Sequence, residues 1–521
     1  MIHTYRSARA AAALVLASAL AVAGCSASGQ AAGVTATTKT LNIGTSYPPT
    51  PNLDPGNANG ANLWFLELAY EPLIKQAADG TLQPGLATSW KYVGSGNTVF
   101  ELKLRANVKF SDGTPLTAEV VKANLDRFRS DAKLSTAAEL ADVSAVTVID
   151  ADTVRLSLSK PNPMIAEMLS EFYGAGDLVS GAGLADASRL DTKTFGAGPY
   201  VLDSARTVDG DYYTFTRNPD YWAPAQVHFD TVVVKVLPNP NSALAALQTG
   251  QVDVIQGTPT TDTAAKSAGL QVVSVPQTFV GLALADRAGA VTPALGDVRV
   301  RQALNYAVNR KQIADALVGT YGGPTPTEQI VLPGQDGYHD QTLYPYDPDK
   351  AKQLLREAGY PNGFTLPVDS FSGPSGTTPL LQVMANQFAA VGVRLQISDT
   401  SDTNKYIQDM VSGRFPAYGI AFGTLPVYLM GPLLFLPAAN PFNPFHSTDP
   451  TLESLYGQAA PAGQAERANL DQQIVARLAE QAWFVPVLFQ PVSYYARQGV
   501  SGVVATPSRP SPNPLEWTFS G

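Results

Sequence analysis

The chain has 521 residues, of which 45% are hydrophobic and 15% are charged, and its formal net charge is −9. This composition is typical of globular proteins, and the length predicts about two to four domains. Nucleic-acid binding requires clustered Lys and Arg, so we expect no nucleic acid among the partners of this acidic chain.

The first 25 residues carry a targeting pattern. Arg6 and Arg9 precede an apolar run, and small residues lead to Cys25, the only cysteine. This order predicts a signal peptide over residues 1–24. The sequence AVAGC resembles a bacterial lipobox, which implies that Cys25 is lipidated and anchors the protein to the outer face of the cell membrane. The alternative is an ordinary secretory signal with an incidental cysteine. The small polar residues 25–39 predict a flexible tether.

Strand and helix patterns alternate along the rest of the chain. Alternating or β-branched apolar residues predict strands within residues 40–49, 98–110, 152–160 and 231–238. Helical spacing and capping residues predict helices after Thr117 and within residues 297–319, 347–359 and 380–392. The predicted fold class is therefore α/β.

The segment from Phe415 to Thr448 contains no Asp, Glu, Lys or Arg. A membrane-spanning helix needs about 20 apolar residues with every backbone group bonded internally. Proline removes a donor and blocks the preceding turn, so the prolines of this segment exclude a continuous helix. They are Pro416, Pro426, Pro432, Pro437, Pro441 and Pro444.

The sequence contains no complete catalytic or metal-binding motif of the usual types. His228, His339 and His446 are far apart and have no metal-ligand spacing, so we expect no metal and no cofactor. Ser130 to Lys133 matches the S-x-x-K motif of penicillin-binding enzymes, but the K-T-G motif is missing. We therefore predict that the protein is not an enzyme, and a cell-surface serine acyl-transfer enzyme is the alternative from another class.

Several ordered segments together resemble family 5 of the extracytoplasmic solute-binding proteins of ABC importers, which bind peptides, nickel or opines. The densest match runs from Gly80 to Phe128. The others are YEPLI at Tyr70, GAGPYVL at Gly196, RNPDYW at Arg217, ALAALQTGQVDV at Ala243, and the segments that begin at Leu295 and Tyr346.

The resemblance implies a two-lobed, class II periplasmic-binding-protein fold, the venus flytrap, with an extra subdomain in the first lobe. Lobe I would comprise residues 40–62, 197–281 and 489–521, and the subdomain residues 63–196. Lobe II would comprise residues 282–488. Ligand binding to both walls of the cleft would favour the closed state that the permease recognises.

The resemblance also implies a ligand site made by the loop after the first strand, the hinge strands and two loops of lobe II. Aromatic walls with a few polar groups suit a small-ligand pocket. The predicted ligand-binding residues are Tyr47, Thr278, Phe279, Ser370, Phe371, Ser372, Phe422, Gly423, Thr424 and Tyr428.

Two positions depart from the peptide binders of the family. Thr424 and Leu425 stand where an acidic partner for the peptide α-amino group is expected, and residues 370–372 replace the Arg and Tyr that some dipeptide binders use. A buried ammonium without a carboxylate is costly. These residues therefore suit a blocked, long or apolar ligand held by backbone hydrogen bonds, or a non-peptide.

The resemblance implies a monomeric, lipid-anchored, extracytoplasmic receptor that captures oligopeptide-like solutes and delivers them to an ABC permease. It would contact the membrane only through its anchor. The alternative on the same fold is a binder of an apolar metabolite, a glycoside or a metal chelate. An envelope interaction protein without a transport role is a further alternative.

Overall fold

The computed structural model describes residues 39–170, 173–373, 376–437 and 442–520. The predicted signal peptide, Cys25 and the tether up to residue 38 lie outside the described residues, as do four residues of the uncharged segment. Within the described ranges, every helix is too short or too polar to span a membrane.

The described residues form 19 strands. They are β1 Thr40–Thr45, β2 Ile74–Gln76, β3 Leu82–Pro84, β4 Ala87–Tyr92, β5 Val99–Leu104, β6 Val143–Asp150, β7 Thr153–Leu158, β8 Tyr200–Leu202, β9 Tyr212–Arg217, β10 Thr231–Val236, β11 Val254–Gln256, β12 Gln271–Leu284, β13 Thr325–Pro326, β14 Phe364–Phe371, β15 Val393–Thr400, β16 Ala417–Gly423, β17 Phe484–Ala496, β18 Val500–Ser501 and β19 Thr518–Phe519.

The same parts of the chain form 16 α-helices. They are α1 Leu63–Ala69, α2 Ala118–Ser130, α3 Thr136–Glu139, α4 Ile165–Met168, α5 Gly181–Ala185, α6 Pro240–Gln248, α7 Asp262–Ser267, α8 Val298–Tyr306, α9 Arg310–Ala316, α10 Val318–Tyr321, α11 Pro348–Glu357, α12 Thr378–Ala389, α13 Thr403–Val411, α14 Val427–Met430, α15 Pro450–Ala459 and α16 Gln464–Glu480.

Local sequence signals account for many of these elements. Thr117 Oγ1 accepts a hydrogen bond from Val120 N at 3.3 Å and begins α2 as predicted. Asp347 caps α11, Pro348 stands at its first position, and Gly359 follows it with φ +89°. Ser130 is the last residue of α2, and its hydroxyl donates to Asp126 O at 2.6 Å. The S-x-x-K match therefore trails a helix instead of opening one.

The main sheet has the strand order β15-β14-β16-β12-β17-β11-β1-β10-β9-β8, and β13 also pairs with β17. At its centre, β12 and β17 pair antiparallel from Gln271 opposite Ala496 to Ala283 opposite Phe484. Strands β11, β1 and β10 continue the sheet on one side, and β16, β14 and β15 continue it on the other. The sheet therefore has two halves, joined through the two long strands. The predicted lobe boundaries at residues 281 and 489 fall inside these strands and stay predictions.

A separate sheet of four strands, in the order β4-β5-β7-β6, lies within the predicted subdomain. Helix α2 covers it and buries Val121, Leu125 and Phe128. Alternate residues of β5, Phe100, Leu102 and Leu104, join the same core, as their spacing predicts. The sheet thus has a hydrophobic core of its own.

Candidate functional site

Two adjoining cavities lie near the centre of the main sheet. The first, here called the aromatic cavity, has a volume of about 540 Å³ and is lined by residues that include Tyr47, Trp64, Gln277 and Tyr494. The second, the charged cavity, has a volume of about 420 Å³ and is lined by residues that include Glu167, Asp336, Thr424 and Arg467. Pro510 belongs to both walls.

The aromatic cavity combines a ring held in place by its neighbours, Trp64, with an exposed ring, Tyr47. The Trp64 ring lies 5.7 Å from those of both Tyr494 and Trp517, and Trp64 Nε1 donates to Pro512 O at 3.1 Å. These contacts hold the indole in place. Tyr47, in the loop after β1, is 60% exposed. Such a wall suits an apolar part of a small ligand.

The hinge strand and the uncharged segment meet between the two cavities. Thr278 lies opposite Gly423 in the pairing of β12 with β16, and Thr424 N donates to Gln277 O at 3.0 Å. The register of β12 with β17 shifts between Pro276 and Thr278. Gln277 therefore sits at an irregularity of the long strand, where it lines the aromatic cavity while its neighbour Thr424 lines the charged one.

Segments far apart in the sequence form the charged cavity. Its wall combines the turn after β2, helix α4, the loop at residues 334–336, residues 424–426, the start of α16 and residues 507–510. In the predicted division of the chain, these segments belong to the subdomain, to lobe II and to lobe I. The cavity is therefore placed where the predicted lobes would face each other across a cleft.

The charged groups of this cavity are only weakly paired. Burial raises the pKa of Glu167, and its carboxylate forms no ion pair and no hydrogen bond with another of the described residues. Arg467 Nη1 donates to Pro163 O at 3.4 Å, and its guanidinium forms no ion pair within the same residues. These groups are thus available to a ligand.

The ten predicted ligand-binding residues do not come together in one cavity. Tyr47 lines the aromatic cavity and Thr424 the charged one. Ser370, Phe371 and Ser372 lie at the end of β14, where Ser370 is fully buried and its hydroxyl lies 2.6 Å from Thr378 Oγ1. The Phe371 ring packs on Tyr406 with ring centroids 5.5 Å apart.

Three predicted aromatic residues pack against other rings. Phe279 is 1% exposed and lies 6.0 Å from the Phe484 ring, and Phe422 packs edge-on against Phe442. Tyr428 stacks on Tyr456 with ring centroids 4.6 Å apart. In this conformation Phe279 and Tyr428 belong to the hydrophobic core and the half-buried Phe422 packs against it, and the ligand contacts of all three stay a prediction.

Sequence reasoning missed Glu167, Asp336 and Arg467. No local motif distinguishes them, since each is one of many charged residues and they come from separate segments. The helical spacing of Gln464 and Arg467 on α16 was the one available signal, and it shows only that they share a helix face. Among the described residues, no group of three or more His, Cys, Asp or Glu could hold a metal ion.

Comparison with known proteins identifies the family of the chain. The model of the bacterial extracellular solute-binding proteins, family 5, middle region, matches residues 81–433. The chain belongs to this family. Family 5 proteins are extracytoplasmic, bind small solutes and deliver them to ABC permeases, so the predicted role as the substrate-binding component of an importer is confirmed at that level.

Individual relatives agree with this assignment. The glutathione-binding protein GsiB of Escherichia coli K12 is 29% identical over 354 residues, which are 66% of this chain and 67% of GsiB. HbpA2 of Haemophilus parasuis has a TM-score of 0.81 at 24% identity, over 92% of this chain and 100% of HbpA2. NikA of Brucella suis, solved with Fe(III)-EDTA, has a TM-score of 0.76 at 23% identity, over 92% of this chain and 100% of NikA. The predicted two-lobed periplasmic-binding-protein fold is thereby confirmed.

Proposed function

We propose that the protein is a lipid-anchored receptor that captures small oligopeptide-like solutes outside the cell membrane and delivers them to an ABC permease. The observation that carries the proposal is the adjoining pair of cavities. One offers rings and the other offers unpaired charges of both signs. A peptide presents apolar side chains together with charged groups, so its chemistry matches both cavities. The glutathione-binding relative supports a ligand of this class.

Solute capture requires that both walls of the cleft contribute to binding. The backbone hydrogen bond from Thr424 to Gln277 links the hinge strand β12 to the wall of the charged cavity. A solute that contacts Arg467 on α16 and Glu167 on α4 at once bridges the predicted lobe II and subdomain. Such a ligand binds the closed state more tightly than the open state and shifts the population towards closure. This route needs no covalent step.

The experiment is native mass spectrometry of the full-length protein, extracted from the membranes of its own host. We expect a co-purified peptide, and titration calorimetry with the synthetic peptide should reproduce its binding. A glycoside, an apolar metabolite or a metal chelate would overturn the peptide assignment. Stoichiometric labelling by an active-site serine reagent would instead favour the acyl-transfer enzyme.

A further inference from the structure

Two short strands, one from each predicted lobe, pair with the same edge of β17. Strand β12 occupies the opposite edge along the length of β17. On the other edge, β11 pairs with residues 494–496 and β13 with residues 488–489. The segment after β11 and the segment before β13 therefore approach each other beside residues 490–493, at the point where the two halves of the sheet are joined.

Gly322, directly after helix α10, makes the contact between these segments. It has φ +70°, and a Cβ atom built on it would lie 3.0 Å from Pro259 Cα and 2.9 Å from Asp262 Oδ2. The positive φ and the lack of space both disfavour a side chain at this position. The backbone of Gly322 thus lies directly against the turn that follows β11.

The two sides of this contact belong to different hydrophobic cores. Tyr321 is 1% exposed and packs in the core that contains Leu282 and Val485. Ala265, on the helix α7 that begins at Asp262, packs with Tyr495 in a separate core. Each side is fixed to its own half of the molecule, so a movement of the halves changes the distance across the contact.

The contact lies on the face of the sheet opposite to the aromatic cavity. Val492 and Tyr494 of β17 line that cavity. Side chains alternate between the faces of a strand, so Ser493 and Tyr495 point to the other face. There Ser493 Oγ donates to Asp262 Oδ2 at 3.2 Å, and Tyr495 Oη donates to Asp262 Oδ1. The turn that carries this carboxylate is therefore behind the hinge strands.

Opening of the cleft rotates the two halves about the hinge strands. A rotation that separates the walls on the cavity side brings the segments behind the hinge together. The space between Gly322 and Pro259 is already too small for a methyl group in this conformation. Since closely packed atoms resist compression, the contact opposes further opening once the two segments meet.

We infer that the contact of Gly322 with residues 259–262 is a stop that limits how far the cleft opens. A glycine at this position permits the widest opening that the two backbones allow, and a larger residue narrows it. The stop restricts the open conformations with which the closed, solute-bound state competes, and in this way it favours binding. It acts at the hinge, so the inference does not depend on which solute binds.

The test compares Gly322→Ala with Gly323→Ala in the full-length, ligand-free protein. Both glycines have a left-handed backbone, with φ +70° and +83°, so both substitutions introduce similar strain. Gly323 is the matched control, because no atom of another described residue lies within 4 Å of a Cβ atom built on it. We expect small-angle X-ray scattering to give a smaller radius of gyration for Gly322→Ala than for Gly323→Ala.

Thermal unfolding checks that both variants fold. If alanine prevents folding, Gly322→Asn and Gly323→Asn repeat the comparison, because asparagine adopts the left-handed conformation more readily. Loss of stability without closure of the cleft does not reduce the radius of gyration, so this measurement separates a stop from a merely structural contact.

Two results would overturn the inference. Equal radii of gyration for Gly322→Ala and Gly323→Ala would show that the contact does not limit opening. A larger radius for Gly322→Ala would show that the contact limits closure instead. Neither result bears on the proposed function, which the co-purified solute tests independently.

Discussion

Thr424 and Glu167 line the same cavity, although only Thr424 is at a position that the resemblance predicts to bind the ligand. Thr424 stands at the position where the resemblance predicts an acid, and it does line a cavity. The carboxylates of that cavity come instead from Glu167 on α4 and from Asp336 in a loop. At the scale of single residues, the absence of an acid from one motif therefore does not exclude recognition of an amine.

Glu139 gives a prediction on stability. Its Oε2 is buried and has no hydrogen-bond partner among the residues that the structure describes, and burial raises the pKa of Glu139 from 4.5 to about 8. Between about pH 4.5 and pH 8 the folded state holds a proton that the unfolded state releases. The contribution of Glu139 to stability is therefore present at low pH and is lost as the pH rises through this window.

We expect Glu139→Gln to flatten this pH dependence. The amide keeps the shape of the side chain but does not ionise, so the free energy of unfolding at pH 8.5 should rise by about 1 kcal/mol or more relative to the wild type. Urea unfolding of both proteins at pH 5 and pH 8.5 measures this change in the free energy of unfolding. Glu466→Gln, at an exposed site, should show no such difference, and an identical response of both variants would contradict the prediction.

Cys25 gives a prediction on localisation. If Cys25 carries the lipid, Cys25→Ala should move the protein from the membrane fraction to the soluble fraction of the host. Immunoblots of the two fractions measure this change, and Ser26→Ala is the control that should stay in the membrane fraction. An unchanged distribution of Cys25→Ala would show that the anchor was wrongly predicted.

At the scale of elements, the loop between β4 and β5 reaches the end of α15. Asn97 has φ +49°, and its Nδ2 donates to Ala460 O and Ala462 O, both at 3.0 Å. Tyr428 Oη donates to Pro161 O at 3.0 Å nearby. These bonds join the predicted subdomain to the predicted lobe II, so we expect them to stabilise the closed state.

Asn97→Gly tests this contact without straining the turn. Glycine tolerates the positive φ, so the variant loses only the two side-chain hydrogen bonds, at a cost of about 1 kcal/mol. The radius of gyration of the ligand-free protein, measured by small-angle X-ray scattering, should increase. Asn107→Gly removes an exposed asparagine with φ +61° and is the matched control. Equal radii of gyration for the two variants would argue against a role of Asn97 in closing the cleft.

At the scale of the whole molecule, β12 and β17 carry the connection between the two halves of the main sheet. At Gly281 the two strands leave no room for a side chain, because a Cβ atom there would lie 2.4 Å from Val485 O. The register of the pair also shifts between Val280 and Gly281. A side chain at this position would force apart the two strands on which both halves depend.

We therefore expect Gly281→Ala to lower the free energy of unfolding by about 1–3 kcal/mol. Chemical unfolding followed by tryptophan fluorescence and by circular dichroism measures the loss. Gly423→Ala, on the neighbouring strand, is the control, because no atom of another described residue lies within 4 Å of its added Cβ. If Gly281→Ala were as stable as the wild type, β12 and β17 would be able to move apart at Gly281 without loss of stability.

Prediction from the sequence succeeded where the signal was local. The helix starts at Thr117 and at Asp347-Pro348 can be recognised from residues within one helical turn. The strand β5 can be recognised from the alternation of Phe100, Leu102 and Leu104. The cavity residues were harder, because a long-range contact leaves no periodic pattern. Tyr47 and Thr424 were located through the resemblance, whereas Glu167 and Arg467 were not.

The sequence by itself determined the α/β class, the family and the order of most elements, since these depend on local periodicity, caps and ordered motifs. Only the tertiary structure decided which charges share a cavity. Glu167, Asp336 and Arg467 are brought to one wall by segments more than a hundred residues apart. The reason is physical: whether a carboxylate stays unpaired depends on burial and on neighbours across the fold, which the chain order does not specify.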